Sequence, residues 1–277
     1  MKWNKILIEI LRYMFLAFIV LISVLPFLWV LVSSFKTNFE IHESAFSLPK
    51  NLYFTNYIDT FEKAHMLKFF LNSAIITCFS VLAGFLIYGM AAYVFARFKF
   101  KGSEAIFGIM SLSLLIPTTA ILLPTYLLVK TMGMYDSKIG LILIYVALSL
   151  PISLYILRSY FLTIPKDIEN SAYIDGAGFV RTYFQIIMPL AKPGFGTAGV
   201  MAFLTSWNDF IYALIMTSGE ENRTVPLTIR FFQSQQFGNN MGPIFAATIL
   251  IVTPSIIVYL ILQKQIEAGL TAGAVKG

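Results

Sequence analysis

Residues 165–193 read PKDIENSAYIDGAGFVRTYFQIIMPLAKP, a polar island between two long apolar runs. In a chain that is 58% hydrophobic and only 12% charged, a stretch this polar needs a reason. Pro165 suits the first turn of a helix, where its missing N–H would be unpaired anyway. Asp167 and Glu169 put negative charge at the positive end of the helix dipole, and Gly176 can take the left-handed conformation that ends helices. A helix of about three turns is therefore expected over 165–175. Ser171, Ala172, Gly176, Ala177 and Gly178 are small enough to let another backbone approach. Phe179, Val180, Tyr183, Phe184, Ile187 and Met188 then recur at helical spacing, opposite Arg181, Thr182 and Gln185. That pattern suits a helix lying in a membrane interface, ended by Pro189 and Pro193. Two readings fit: an ordinary interfacial loop, or a docking surface for a partner.

Working outward, the rest of the chain reads as membrane. Its 277 residues include 26 Phe, its mean hydropathy is +0.77, and a water-soluble domain this apolar would lack polar surface. Runs of about 20 apolar residues are the simpler account. Six spans are expected: 14–35, 69–96, 104–129, 139–162, 194–216 and 243–262. The fold class is all-α, integral membrane. Lys2, Lys5 and Arg12 precede the first run, which is too long for a signal-peptide core and lacks a small-residue cleavage site. The third run carries Pro117 and Pro124, so it is either a broken helix lining a cavity or a kinked one, since proline frees carbonyls that neighbours or water must satisfy. Pro151 lies near the middle of the fourth, and Arg158 is placed to snorkel. Pro254 lies in the sixth.

A pI of about 9.3 suggests nucleic acid, yet the cations flank spans rather than forming a patch. With the N-terminus inside, the inner segments hold Lys2, Lys5, Arg12, Arg97, Lys99, Lys101, Arg158, Lys166, Arg181, Lys192, Lys264 and Lys276, 12 of the 20. Both termini and the polar island then face the cytoplasm by the positive-inside rule. His42 and His65 stand too far apart for a metal site, and residues 35–68 read as a solvated outer loop. Cys78 has no intrachain partner. Asp209, in Trp207-Asn208-Asp209-Phe210, is the acid well inside a span, and its cost there points either to a polar cavity, shared with Asn208 and Trp207, or to a structural contact between helices.

Glu169-Asn170-Ser171-Ala172, Asp175-Gly176-Ala177, Phe184, Ile187 and Pro189-Leu190 together resemble the EAA loop of ABC importer permeases, roughly EAAxxDGAxxxxxFxxIxxPL. The departure is Asn170-Ser171 before Ala172, where the family has Ala-Ala directly after Glu. The Trp207–Phe210 motif is similar to one in the fifth span of carbohydrate permeases. The ending Gly269-Leu270-Thr271-Ala272-Gly273-Ala274-Val275-Lys276-Gly277 is similar to that of the smaller maltose-type permeases. The resemblance covers nearly the whole chain.

It implies a type I ABC importer (MetI-like) permease fold with six transmembrane helices. The implied layout is a first helix and outer loop over 1–68, a transmembrane core over 69–265 with the EAA loop at 163–193, and a cytoplasmic tail over 266–277. It implies that Glu169, Ala172, Asp175, Gly176, Ala177, Phe184, Ile187 and Pro189 couple to an ATPase, that Trp207, Asn208 and Asp209 line the substrate path, and that the tail reaches the ATPase interface as an extended strand. The implied partners are a second homologous permease in a heterodimer, an ATPase dimer carrying ATP and Mg, an extracytoplasmic solute-binding protein, a sugar substrate and lipid, in a prokaryotic plasma membrane. No cofactor or metal is expected on this chain. It holds no Gly-rich phosphate loop followed by Lys-Ser/Thr, so ATP hydrolysis belongs to another subunit. Rival readings are a permease for a non-sugar solute, a secondary transporter, a membrane enzyme and a passive scaffold. A secondary transporter would want internal repeats and coupling-ion acids; no repeat is evident. An enzyme would want clustered His, Asp or Glu at a membrane face, which His42 and His65 do not supply.

Overall fold

The computed structural model describes residues 2–233 and 240–274, and among these the regular structure is helical throughout. Four helices are long and apolar enough to cross a membrane: Ile6–Ser33, Met66–Arg97, Lys138–Phe161 and Met241–Glu267. Two bent pairs, Ser103–Leu115 with Thr118–Thr131 and Phe179–Leu190 with Lys192–Trp207, bring the number to six if each is one span. The chain divides into two compact units, Met1–Met66 with Thr228–Val252, and Leu67–Leu227 with Thr253–Gly277.

In the first unit, α1 (Lys2–Ser33) is followed by two short helices, α2 (Asn38–Glu43) and α3 (Thr55–Glu62). Thr37 caps α2 in a reciprocal capping box with Glu40, which satisfies donors that every helix start leaves free. Asn56 of α3 donates to the carbonyls of Ser34 and Lys36 at 2.9 and 2.8 Å. These lie just beyond the end of α1, where backbone acceptors run out of partners. The Trp29 ring meets Phe245 edge-on at 5.2 Å.

The second unit holds α4 (Met66–Arg97), α5 (Ser103–Leu112), α6 (Leu122–Thr131), α7 (Lys138–Phe161) and α8 (Lys166–Ile174). Then come α9 (Phe179–Thr182), a π turn over Tyr183–Ile187, α10 (Met188–Leu190), α11 (Lys192–Trp207) and α12 (Ile211–Met216). A short α13 (Thr228–Phe232) belongs to the first unit, and α14 (Met241–Ala274) runs through both. The core of the second unit gathers Tyr88, Tyr93, Leu157, Phe161, Tyr183, Ile187, Phe195 and Ala198. Small residues allow that packing: a Cβ on Gly194 would lie 2.8 Å from the Tyr160 ring, and one on Gly199 2.7 Å from Phe85. Close approach through small residues is how membrane helices associate when water does not drive them together.

The third span is broken rather than kinked. Its halves meet at 101°, with Ile116 extended before Pro117 as the proline ring requires. The backbone freed there finds a neighbour, since Tyr212 Oη donates to the Thr118 carbonyl at 2.7 Å. Arg158 does more than snorkel: Nη2 meets Glu104 at 2.5 Å, Nε donates to the Phe95 carbonyl, and the guanidinium lies 4.0 Å from the Phe107 ring centre. The expected fifth span over 194–216 is not continuous, because the helix stops at Trp207 and restarts at Ile211. The sixth continues past Leu262 to Ala274.

The 163–193 loop and the break at Asp209 as candidate functional site

The short helix α8 forms where the residues predict, over 9 residues rather than three turns. Pro165, expected in the first turn, instead stands just before it in extended conformation (ψ 135°) and makes no capping hydrogen bond. At the other end Gly176 is left-handed, with φ +80°. Gly176 N–H donates to the Tyr173 carbonyl and Ala177 N–H to the Ala172 carbonyl at 3.1 and 2.9 Å. That pair of bonds is the Schellman ending for which glycine is suited.

The faces of α8 differ from expectation. Glu169 does not stand in water: it is buried against Arg97 of α4, with Nε and Oε1 at 2.5 Å and side chains 4% and 8% exposed. Arg97 also donates through Nη2 to the Ile164 carbonyl at 2.8 Å. One guanidinium thus holds both the residue leading into α8 and the middle of α8 itself. Ala172 and Ala177, expected to leave room for a partner backbone, are instead buried in the chain itself. The outward surface carries Lys166, Asp167, Asn170, Ser171, Asp175 and Gly176, with Tyr173 and Ile174 among them, Ile174 being 86% exposed. Sequence reading passed over Arg97, counted only as a flanking cation, and Ile174, an apolar residue whose outward direction depends on which face α8 turns in.

The helix after it is anchored by aromatic rings. Tyr93, one turn before Arg97, lies 5.1 Å from Tyr183 and 5.5 Å from Phe179, ring centre to ring centre. Ile187 and Tyr183 are buried, Phe184 and Phe179 partly exposed. Thr182, expected on the polar face with Arg181 and Gln185, is buried. The π turn begins right after it and departs from the 3.6-residue spacing on which that expectation rested. Arg181 and Gln185 do pair outside, at 3.0 Å. Past Pro189 the chain turns by 80° into α11.

Trp207, Asn208 and Asp209 have different surroundings. Trp207 is buried, stacked on Phe203 and edge-on to Phe70. It lines an apolar cavity of about 730 Å³ together with Phe85, Phe184, Pro189, Lys192 and Leu262. Asn208 is exposed and accepts from Ser255 Oγ at 3.0 Å. Asp209 sits at the break before α12, not within a continuous helix. Its Oδ2 accepts from Ala213 N–H and from Tyr145 Oη, both at 2.9 Å. The carboxylate therefore neutralises the amide-rich start of a helix, a favourable place for negative charge.

The tail motif falls partly outside the described residues, which end at Ala274. Backbone of 269–274 continues α14 as helix, not as the extended strand expected; Val275, Lys276 and Gly277 lie outside the described residues. Among the described residues, no group of three or more His, Cys, Asp or Glu is placed to hold a metal ion.

Known proteins resemble this chain in sequence and in fold. Residues 80–272 match the family model described as binding-protein-dependent transport system inner membrane component. The chain is 35% identical over 253 residues to the diacetylchitobiose uptake system permease protein NgcG of Streptomyces coelicolor, covering 91% of this chain and 84% of that one. It is 34% identical over 256 residues to the trehalose transport system permease protein SugB of Mycobacterium tuberculosis, covering 92% and 93%. Its fold is similar to that of a solved bacterial ABC transporter involved in the import of the acidic polysaccharide alginate, with TM-score 0.79, 20% identity, and 94% and 97% of the two chains covered. The chain is thus a multi-pass membrane protein belonging to the binding-protein-dependent transport system inner membrane components, the permease subunits of ABC importers, which leave ATP hydrolysis to a separate chain.

Proposed function

We propose that this permease moves a sugar or oligosaccharide into the cytoplasm of a prokaryote, driven by ATP. The sugar assignment draws on its relatives, several of which are named for diacetylchitobiose, trehalose or galactooligosaccharides. In this reading it sits in the plasma membrane with both termini and the 163–193 loop inside, paired with a second, homologous permease. An extracytoplasmic solute-binding protein delivers substrate, and an ATPase dimer binding ATP and Mg docks below. The divisions 1–68, 69–265 and 266–277 then correspond to first helix and outer loop, transmembrane core, and tail.

The observation that carries this reading is α8. It is a short helix with a wetted outer face, an exposed Ile174, and a buried ion pair to the end of a spanning helix. A helix built this way can seat in a cleft of an ATPase and move α4 with it. Within the coupling set, Asp175, Gly176, Phe184 and Pro189 face outward, while Glu169, Ala172, Ala177 and Ile187 hold the element together from inside. The tail from Gly269 to Gly277 completes the ATPase contact in this proposal. Trp207, Asn208 and Asp209 remain candidates for the substrate path, Asp209 by shaping the break rather than by touching the solute.

The experiment is to purify the chain with its natural partners, identify the solute held by the co-purified binding protein, and measure ATP-driven uptake of it in proteoliposomes. A sugar taken up with ion gradients collapsed supports the proposal. Uptake that follows an ion gradient and ignores ATP overturns it. For topology, Cys78 is replaced and single cysteines are placed at Asn170 and Glu220. Labelling of Asn170, with Glu220 protected, by an impermeant reagent on intact cells would reverse the orientation.

A further inference from the structure

The helix α3 is inside out. Its buried residues are Asn56 and Thr60. Asn56 holds the two carbonyls beyond the end of α1, Thr60 Oγ1 donates to the Asn56 and Pro243 carbonyls at 2.7 and 3.3 Å, and Tyr57 Oη shares a hydrogen with Ser34 Oγ at 2.7 Å. The opposite side carries Phe54, Ile58 and Phe61, about half exposed each, at the i, i+4, i+7 spacing of one helical stripe. The loop before it adds Phe46 and Leu48, 88% and 77% exposed. In water this arrangement would leave a row of large apolar groups uncovered while polar ones are buried.

We infer that α3 and the loop before it lie in the lipid headgroup–acyl boundary at the far end of α1, with the Phe54, Ile58 and Phe61 stripe turned into the acyl chains. What covers the stripe is indicated by its surroundings. It follows directly on α1, whose most apolar stretch has no buried residue within this chain and has the length and hydropathy of a membrane span. Trp29, near that end of α1, donates Nε1–H to the Ala45 carbonyl at 2.7 Å, and tryptophan with its polar edge satisfied is typical of the interface. Lys50, in the loop before α3, and Lys63, at its C-terminal end, are 75% and 49% exposed and paired with Glu43 and Asp59. The buried polar face is explained too, because backbone acceptors at membrane depth must be satisfied from within the protein. The expectation of a solvated loop over 35–68 therefore gives way to an interfacial element.

The test uses the assembled transporter in liposomes, with Cys78 replaced and a spin label attached in turn at Phe54, Ile58, Phe61 and, as a site outside the helix, Phe46. Collisions with oxygen, which concentrates in lipid, should exceed those with a water-soluble nickel chelate several-fold at all four. The ratio should fall at Glu62, on the polar rim. A nickel-chelate rate that matches or exceeds the oxygen rate along the stripe overturns the proposal in favour of a solvated loop. Low rates with both reagents overturn it in favour of a covering protein partner. Neither outcome bears on which solute is carried, so this inference and the sugar proposal fail separately.

Discussion

Arg97, in the last turn of α4, and Glu169, in α8, form an ion pair at 2.5 Å with both side chains more than nine-tenths buried. Removing one partner of such a pair leaves the other charge stranded, at a cost of about 3–5 kcal/mol. Arg97→Ala and Glu169→Lys should therefore lower the thermal midpoint in detergent and loosen the ATPase subunit during co-purification. The exchange Arg97→Glu with Glu169→Arg should recover part of both. Wild-type stability in Arg97→Ala would show that the pair does not hold the loop.

Gly176 has φ +80° and nothing within 4 Å of where its Cβ would be. Within the chain, then, a larger residue meets strain but no clash, and the left-handed backbone costs an L-residue about 1–2 kcal/mol. Gly176→Asn, which tolerates this conformation, should keep most ATP-driven uptake. Gly176→Leu adds bulk on the outward side and should insert normally yet lose the ATPase or uptake. Equal loss in both would point to strain alone, and wild-type uptake in both would remove the site from coupling.

At Asp209 the expectation is stability before chemistry. Asp209→Leu frees the Ala213 N–H and the Tyr145 hydroxyl at once, and loss of the cap alone is worth about 0.5–2 kcal/mol. Asp209→Asn keeps an acceptor and should transport nearly normally with a small drop in thermal midpoint. An Asn variant with unchanged stability but no transport would instead assign the carboxylate to the substrate path.

Asp136 lies in the loop between α6 and α7 and gathers the segment after α12: Ser218 Oγ and Gly219 N–H donate to its Oδ2 at 2.7 and 3.1 Å. Burial pushes its carboxyl up, but the Ser218, Gly219 and Asn222 hydrogen bonds outweigh that and hold it below the ordinary 3.8. A lowered folded-state pKa gives stability that is present above the ordinary value and fades as pH falls through the folded one. The 217–224 segment should thus resist proteolysis at pH 5–7 and become more susceptible below about pH 4. Asp136→Asn should flatten that pH dependence. A protease profile in Asp136→Asn that still steepens below pH 4 would place the titrating group elsewhere.

The sequence by itself determined the membrane class, the approximate spans and the polar helix from Pro165 to Gly176. These rest on local properties, namely the length of apolar runs, proline and glycine geometry and the dipole preference of acids near a helix start. Its motifs also pointed to the family before any coordinates. Only the tertiary structure decided which way side chains face. Glu169 turned inward because Arg97, 72 residues away, lies beside it, and no local pattern encodes that pairing. Asp209 became a cap because the helix breaks at Asn208 and Tyr145 comes from another span. The stripe on α3 reads outward because its polar side is claimed by carbonyls beyond the end of α1. Helical spacing shows that a face exists, but whether it meets protein, lipid or water depends on contacts made across the fold.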